Sequence, residues 1–297
     1  MIAIFLHLLD VCHGDCILLT DDITNILIDG GYTEAKGSAP VGEVEEKVFS
    51  YLKKHNINHI DYYIISHFHA DHFGIAAKIL EKFKPLKIFI PFSLEDGKCF
   101  VENVDAENEK TEFGMACKQS FQEFLSSVFD NKLENNLAVV ENNLNFALKD
   151  SLFSIYNPVD TDCSGNIVKN NLNNKSAMFF TLTGSKYNAL LFSDTQANAN
   201  KRAKEILLKL EGEEFQIIKL PHHGDFSPKY FDEEFYYNRR DSIKALLVSS
   251  GISRRFNFDS TVFGDLERFA EKHQLHILST HKNGDIVIEL SNITNQL

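Results

Sequence analysis

The sequence predicts an α/β fold in which two sheets pack together and helices cover both outer faces. Three observations lead there. Short β-rich runs fall in two groups, amphipathic segments of helical period accompany each group, and turn residues separate the elements. Strands followed by helices, twice over, bury their apolar faces when the sheets stack and the helices lie outside. At 297 residues and 43% hydrophobic, the chain can bury a large core without staples. A single domain over 1–297 is expected, carrying a helical insertion around 92–136.

Residues 2–9, 16–20 and 25–28 are short β-rich runs, broken by His13-Gly14-Asp15 and Asp21-Asp22, with Gly30-Gly31 ending the third. Val44, Val48, Tyr51 and Leu52 recur at helical spacing, and 62–66 is a strand running into a histidine cluster. Ile75, Ile79, Leu80 and Phe83 mark a helix that stops before Pro85, and 86–90 resumes as a strand. Phe113, Cys117, Phe121, Phe124, Leu125 and Val128 give an amphipathic helix, a lid or spacer. Strands are then expected at 137–140, 152–156, 177–182 and 189–192, the last two joined by the hairpin loop 184–188. A helix over 199–210, strands at 216–220 and 243–248 and a helix over 262–273 follow. The strands 276–278 and 286–290 resemble a hairpin around Asn283-Gly284.

The net charge of −12 argues against a general sink for nucleic-acid backbones, which needs clustered Lys and Arg. It does not exclude a phosphodiester substrate, because bound cations can supply positive charge locally. Five scattered cysteines, with no C-x-x-C, suit a reducing compartment. The apolar start lacks a cationic flank and ends at Asp10, so it reads as a strand rather than a signal or membrane span. A soluble, cytoplasmic protein is expected.

The chemistry concentrates in Ser66-His67-Phe68-His69-Ala70-Asp71-His72. In an extended segment alternate residues point the same way, so His67 and His69 can grip one ion. Asp71 and His72 follow where strand gives way to helix, so they can turn toward a second. Imidazole and carboxylate are the usual ligands of catalytic zinc and tolerate manganese or iron. Four ligand-type residues in six positions after a buried-type strand outweigh the reading as a histidine-bearing surface loop. Asp194 ends the run 189–193, where a strand delivers its last side chain to a sheet edge; it could bridge two ions about 3.5–4 Å apart. Alone it would read as a turn or N-cap aspartate. His222-His223 follows the strand 216–220 through Pro221, as a ligand plus a neighbour facing substrate. The joint pattern decides these readings.

In that order, the cluster, Asp194 and Pro221-His222-His223-Gly224 resemble the metallo-β-lactamase superfamily, closest to the hydrolase domain of the competence protein ComEC and its stand-alone relatives. His13-Gly14-Asp15-Cys16-Ile17-Leu18 and Leu27-Ile28-Asp29-Gly30-Gly31 add to the likeness. The resemblance implies an αββα sandwich with two divalent ions, zinc or alternatively manganese, at one sheet edge. It implies ligand roles for His67, His69, Asp71, His72, Asp194 and His223, and a supporting role for Asp29, fixing a ligand imidazole. The chain departs from the family at Asn157, where a further histidine ligand is usual, at Asp225, where Ser follows the His-His-Gly, and at Asp259, which replaces a histidine.

The expected reaction is attack of a metal-bound hydroxide, oriented by Asp71, on a phosphodiester in a nucleic acid or nucleotide, with His222 protonating the leaving oxygen. Arg254-Arg255 and, more weakly, Arg239-Arg240 are substrate-contact candidates, although a solvated loop pair explains each as well. His7, His55, His59, His273, His276 and His281 read as structural or exposed. Two alternatives stay open. One is hydrolysis of a thioester, lactone or lactam; the other is a degenerate binding module, which Asn157 and Asp259 would support. No membrane partner is expected.

Overall fold

The computed structural model describes residues 3–32, 43–107, 112–161, 167–168, 172, 176–250 and 260–295. Two seven-stranded mixed sheets make up its centre. The first holds β1 (Phe5–Leu8), β2 (Cys16–Thr20), β3 (Asn25–Asp29), β4 (Tyr62–Ile64), β5 (Lys87–Ile90) and β6 (Leu137–Val139), with β14 (Ile286–Glu289) outside β1. The second runs in chain order from β7 (Asn143–Leu148) through β8 (Ser151–Tyr156), β9 (Phe179–Thr183), β10 (Asn188–Phe192), β11 (Ile217–Lys219) and β12 (Ala245–Val248) to β13 (Ile277–Ser279). Each sheet has an antiparallel portion and a parallel one: β3 through β6 are parallel in the first, β10 through β13 in the second.

The period-two alternation of the strands builds three apolar layers. Ile17, Leu19, Ile26 and Ile28 face Phe153, Ile155, Phe180 and Leu182 across the inter-sheet layer. Their neighbours Leu18 and Leu27 turn outward instead. They pack with Val48 and Leu52 of α1 (Glu43–Lys54), Ile79 and Leu80 of α3 (Ala76–Phe83), Phe100 of α4 (Leu94–Glu107) and Phe121 and Phe124 of α5 (Glu112–Asp130). On the other face Leu190, Ile218 and Leu246 meet Ile206 of α6 (Lys201–Lys209), Tyr236 of α7 (Glu233–Tyr237) and Leu266 and Phe269 of α8 (Ser260–His273). The layer order is therefore αββα, the metallo-β-lactamase arrangement. Each fully buried Leu, Ile or Phe contributes roughly 1.5–3 kcal/mol to it.

Two features differ from expectation. The strands around Asn283-Gly284 form no hairpin: β13 pairs with β12 in one sheet and β14 with β1 in the other. A short helix, α9 (Thr280–Asn283), and Gly284, at φ 69°, carry the chain across. β7 is an edge strand in which Leu144, Phe146 and Leu148 alternate with Asn143, Asn145 and Ala147, a pattern the polar asparagines conceal. α4 falls within the helical insertion expected around 92–136, although no periodic run of its own marks it. No helix among the described residues is long and apolar enough to cross a membrane.

Candidate metal centre

The candidate ligands gather where β3, β4, β10, β11 and β12 end, beside the β1–β2 turn. β4 stops at Ile64, though Ile65 N still donates to Phe89 O at 2.9 Å. Phe68 is fully buried against Phe73, Phe92 and Phe121. That anchor divides the segment, leaving His67 and His69 to meet each other with ring centroids 4.7 Å apart. The carbonyl of His69 then accepts from His72 N, at 3.0 Å, and Phe73 N, starting α2 (Ala70–Phe73), which presents Asp71 and His72. Ala70 N donates to Cys117 Sγ at 3.3 Å and ties α2 to α5.

Across the sheets, Asp194 divides its carboxylate between two groups. Its Oδ2 lies 3.7 Å from His67 Nε2 and 3.7 Å from His222 Nε2. Its Oδ1 lies 3.1 Å from His72 Nε2 and 3.6 Å from His223 Nε2. Asp71 Oδ2 closes the second group, 3.3 Å from His223 Nε2. Potential ligand atoms of His67, His69 and Asp194 fall within 4.8 Å of one another, and so do those of Asp71, His72, Asp194 and His223. His67, His72, Asp194 and Asp71 are all buried, whereas His69 and His222 are only partly so, which places the opening beside them.

The supporting contacts fix the rings. Asp29 Oδ2 meets His72 Nδ1 at 2.8 Å, while the Ser66 backbone N–H and hydroxyl donate to the same carboxylate. His223 Nδ1 donates to Ser249 O at 3.0 Å, turning Nε2 toward Asp71 and Asp194. His222 Nδ1 stands 3.4 Å from Asp225 Oδ2, and its ring stacks on Tyr230 with centroids 4.0 Å apart and planes 2° from parallel. His222 and His223 both adopt left-handed backbone, φ 45° and 56°, at a cost of roughly 1–3 kcal/mol each. Such strain persists only where surrounding contacts hold it. Gly14 is required on steric grounds: a Cβ there would lie 2.2 Å from the Asp71 carbonyl oxygen.

Electrostatics separates the rings into two kinds. Burial holds His69 at about 4 and His67 well below the imidazole range, so both are neutral with lone pairs available. Burial opposes charge on His72 and His223 too, but carboxylates outweigh it. Asp194, Asp29 and Asp71 lift His72 well above its usual value, and Asp194 and Asp15 with Asp71 lift His223 to about 9. Asp194, despite burial, is kept well below the carboxylate range by His72, His222 and His223. The pocket thus balances its carboxylates only by taking up protons or cations, and a divalent ion displaces protons from such rings. His67 Nε2, His72 Nε2, His223 Nε2 and Asp71 Oδ1 are buried without a hydrogen bond. Inward-facing donors left unsatisfied in this way, all nitrogen or oxygen, fit one or two divalent ions.

Asn157 Nδ2 donates to Pro91 O and Val140 O, both at 2.5 Å, tying β8 to the ends of β5 and β6, while its Oδ1 is buried without a hydrogen bond. Other sequence-derived candidates have different surroundings. Arg239 is no substrate contact: it is buried, with its guanidinium on the Phe235, Leu210 and Glu211 carbonyls. Arg240 lies over the Tyr237 ring. Arg254, Arg255 and Asp259 lie outside the described residues. Sequence reasoning gave no role to His13, whose Nε2 is 4.0 Å from Asp71 Oδ2 and whose ring is 4.2 Å from that of His223. Lys219 and Ser249, also unforeseen, are buried behind His223; a lysine inside a buried strand was the available signal for the first.

The family model described as the metallo-beta-lactamase superfamily matches residues 9–109, the part holding Asp29 and the whole histidine cluster. No curated protein sequence matches the chain. A mutant of CmlA beta-hydroxylase superposes with a TM-score of 0.53 at 11% identity, covering 97% of this chain and 54% of its own. This chain therefore spans about half the length of that protein. The metallo-beta-lactamase fold protein YhfI from Bacillus subtilis gives 0.52 at 12% identity, with 96% and 99% covered. Tm1679, a metal-dependent hydrolase of the beta-lactamase superfamily, gives 0.52 at 11%, with 96% and 98% covered. The fold is thus that of the metallo-beta-lactamases. The likeness to these structures is one of fold, and the superfamily model covers residues 9–109.

Proposed function

We propose that the chain is a phosphodiesterase acting on a nucleic acid or nucleotide with two divalent cations, zinc or manganese. One observation carries the two-ion reading: the oxygens of Asp194 face different histidine groups, His67 on one side and His72 with His223 on the other. Such a pair, when bound, would supply a nucleophile at neutral pH by lowering the pKa of water. His67, His69 and Asp194 would hold one ion; Asp71, His72, His223 and Asp194 the other. Asp71 Oδ1, buried and free of hydrogen bonds, accepts one from the attacking water and aims it. His222, set by Asp225 and the Tyr230 stack, reaches the open side and protonates the leaving oxygen.

The choice of a phosphodiester rests on the sequence likeness to the competence-protein hydrolase domain, since the fold alone hosts many reactions, a beta-hydroxylase among them. A second reading, hydrolysis of a thioester, lactone or lactam, draws on the apolar wall beside His69. Phe100 and Phe113 each lie 5.2 Å from that ring and suit an uncharged acyl group. A cytoplasmic setting accompanies either reading and fits the free thiols Cys12, Cys16 and Cys117.

The test is turnover of bis-p-nitrophenyl phosphate, single-stranded DNA, cyclic nucleotides and a chromogenic lactam by zinc- or manganese-loaded protein. Phosphodiester cleavage that Asp71→Ala abolishes is expected. Cleavage of the lactam alone would transfer the assignment to the acyl reading. Less than one bound equivalent with no turnover would leave a binding module.

A further inference from the structure

Lys219 is fully buried at the end of β11, an expensive position for an ammonium unless its partners compensate. Its Nζ is 2.7 Å from Asp15 Oδ2 and donates to the Phe192 carbonyl at 2.9 Å and the Leu220 carbonyl at 3.2 Å. These three partners belong to the three segments that converge on the site. Asp15 is in the β1–β2 turn of the first sheet. Phe192 ends β10, two residues before Asp194. Leu220 follows β11, two residues before His222. The charge is passed forward as well, because Asp15 accepts from the Ser249 hydroxyl and stands 3.5 Å from His223 Nδ1 and 3.8 Å from His72 Nδ1. The Asp15 backbone N–H, in turn, donates to the Asp71 carbonyl at 3.2 Å.

We propose that Lys219 is a positioning residue that joins the two sheets behind the centre and sets the cation affinity of the Asp71, His72, His223 and Asp194 group. No atom of Lys219 is given to substrate or ion; it acts through Asp15 on two imidazoles and through two carbonyls on the strand ends carrying Asp194 and His223. A compact ammonium can serve three acceptors in different directions, which the planar fork of arginine cannot reproduce. Methionine, similar in length, fills the space and serves none.

This inference rests on the two-ion reading above, and the experiment separates the two. Zinc binding is titrated against a chromophoric chelator for the wild-type chain, Lys219→Met and the double variant Asp15→Asn with Lys219→Met, with folding followed by circular dichroism. The double variant leaves no unpaired buried charge. In the variants one zinc equivalent is expected to weaken about 10–100-fold, as loss of outer partners does at other metal sites, while the other keeps wild-type affinity. Cobalt substitution should show one altered and one unaltered visible spectrum. Two equivalents at wild-type affinity in either folded variant would overturn the positioning role. Failure of both variants to fold would do the same, assigning Lys219 to the core instead. A wild-type chain that binds no zinc would instead remove the functional reading on which the inference stands.

Discussion

Asp29 Oδ2 and His72 Nδ1 are 2.8 Å apart in the buried space behind the centre, and this contact fixes which nitrogen His72 turns toward Asp194. Every oxygen of Asp29 is in use, since Ser66 N donates to Oδ1 and Ser66 Oγ to Oδ2. In Asp29→Asn the amide must confront one of these donors with its own NH2, whichever way it turns. Zinc affinity should fall about 10–100-fold with the fold intact. Chelator competition measures it; unchanged affinity would show that the His72 orientation comes from elsewhere.

Asp194→Asn tests the shared ligand. Because its two oxygens address two histidine groups, the substitution is expected to reduce bound zinc from two equivalents to one or fewer and take turnover to background. Elemental analysis after gel filtration gives the count. Retention of two equivalents would show that the groups do not share it.

The adjacent histidines should separate cleanly. His223→Gln loses a donor facing Asp71 and Asp194, so metal content falls. His222→Gln should keep its metal but lose about 10²–10⁴ in kcat, the usual range for a general acid. If both variants lose metal alike, His222 is a ligand as well.

Much of this was legible in advance, and the reasons are local. The cluster 67–72 announces itself because four ligand types crowd six positions after an apolar strand. The strands β2, β3 and β10 are readable because their runs are β-rich and bounded by turn residues. Asn157 was legible only as a departure, and its contacts with Pro91 and Val140 needed coordinates. Lys219 and Asp15 lie 204 positions apart, and nothing local links them; the ion pair exists because two sheets meet. His13 was hidden similarly, its neighbour His223 being supplied by the opposite sheet.

His7 supplies a pH test remote from the centre. It is 4% exposed, with Nδ1 2.7 Å from Tyr51 Oη, and burial, assisted by His55, lowers its pKa from 6.5 to about 4. The unfolded chain thus binds the extra proton first as the solution is acidified. The contribution of neutral His7 is complete above pH 6.5 and is lost as pH falls from there toward 4, by about 3 kcal/mol in all. Urea melts at pH 7 and 4.5 should show the wild-type chain losing more than His7→Phe combined with Tyr51→Phe. Parallel losses would mean that His7 titrates alike in both states.

The crossing of α9 from one sheet to the other governs how the molecule is assembled. Because β14 hydrogen-bonds to β1, with Phe5 opposite Glu289, β1 waits for a strand made far later in synthesis. Until Glu289 has emerged, the outer edge of β1 stays unzipped. Refolding should therefore be slow, as expected when pairing spans such separations. A ribosome-bound chain stopped before β14 would expose the free edge of β1 to neighbouring polypeptides, making that stage the one most in need of a chaperone.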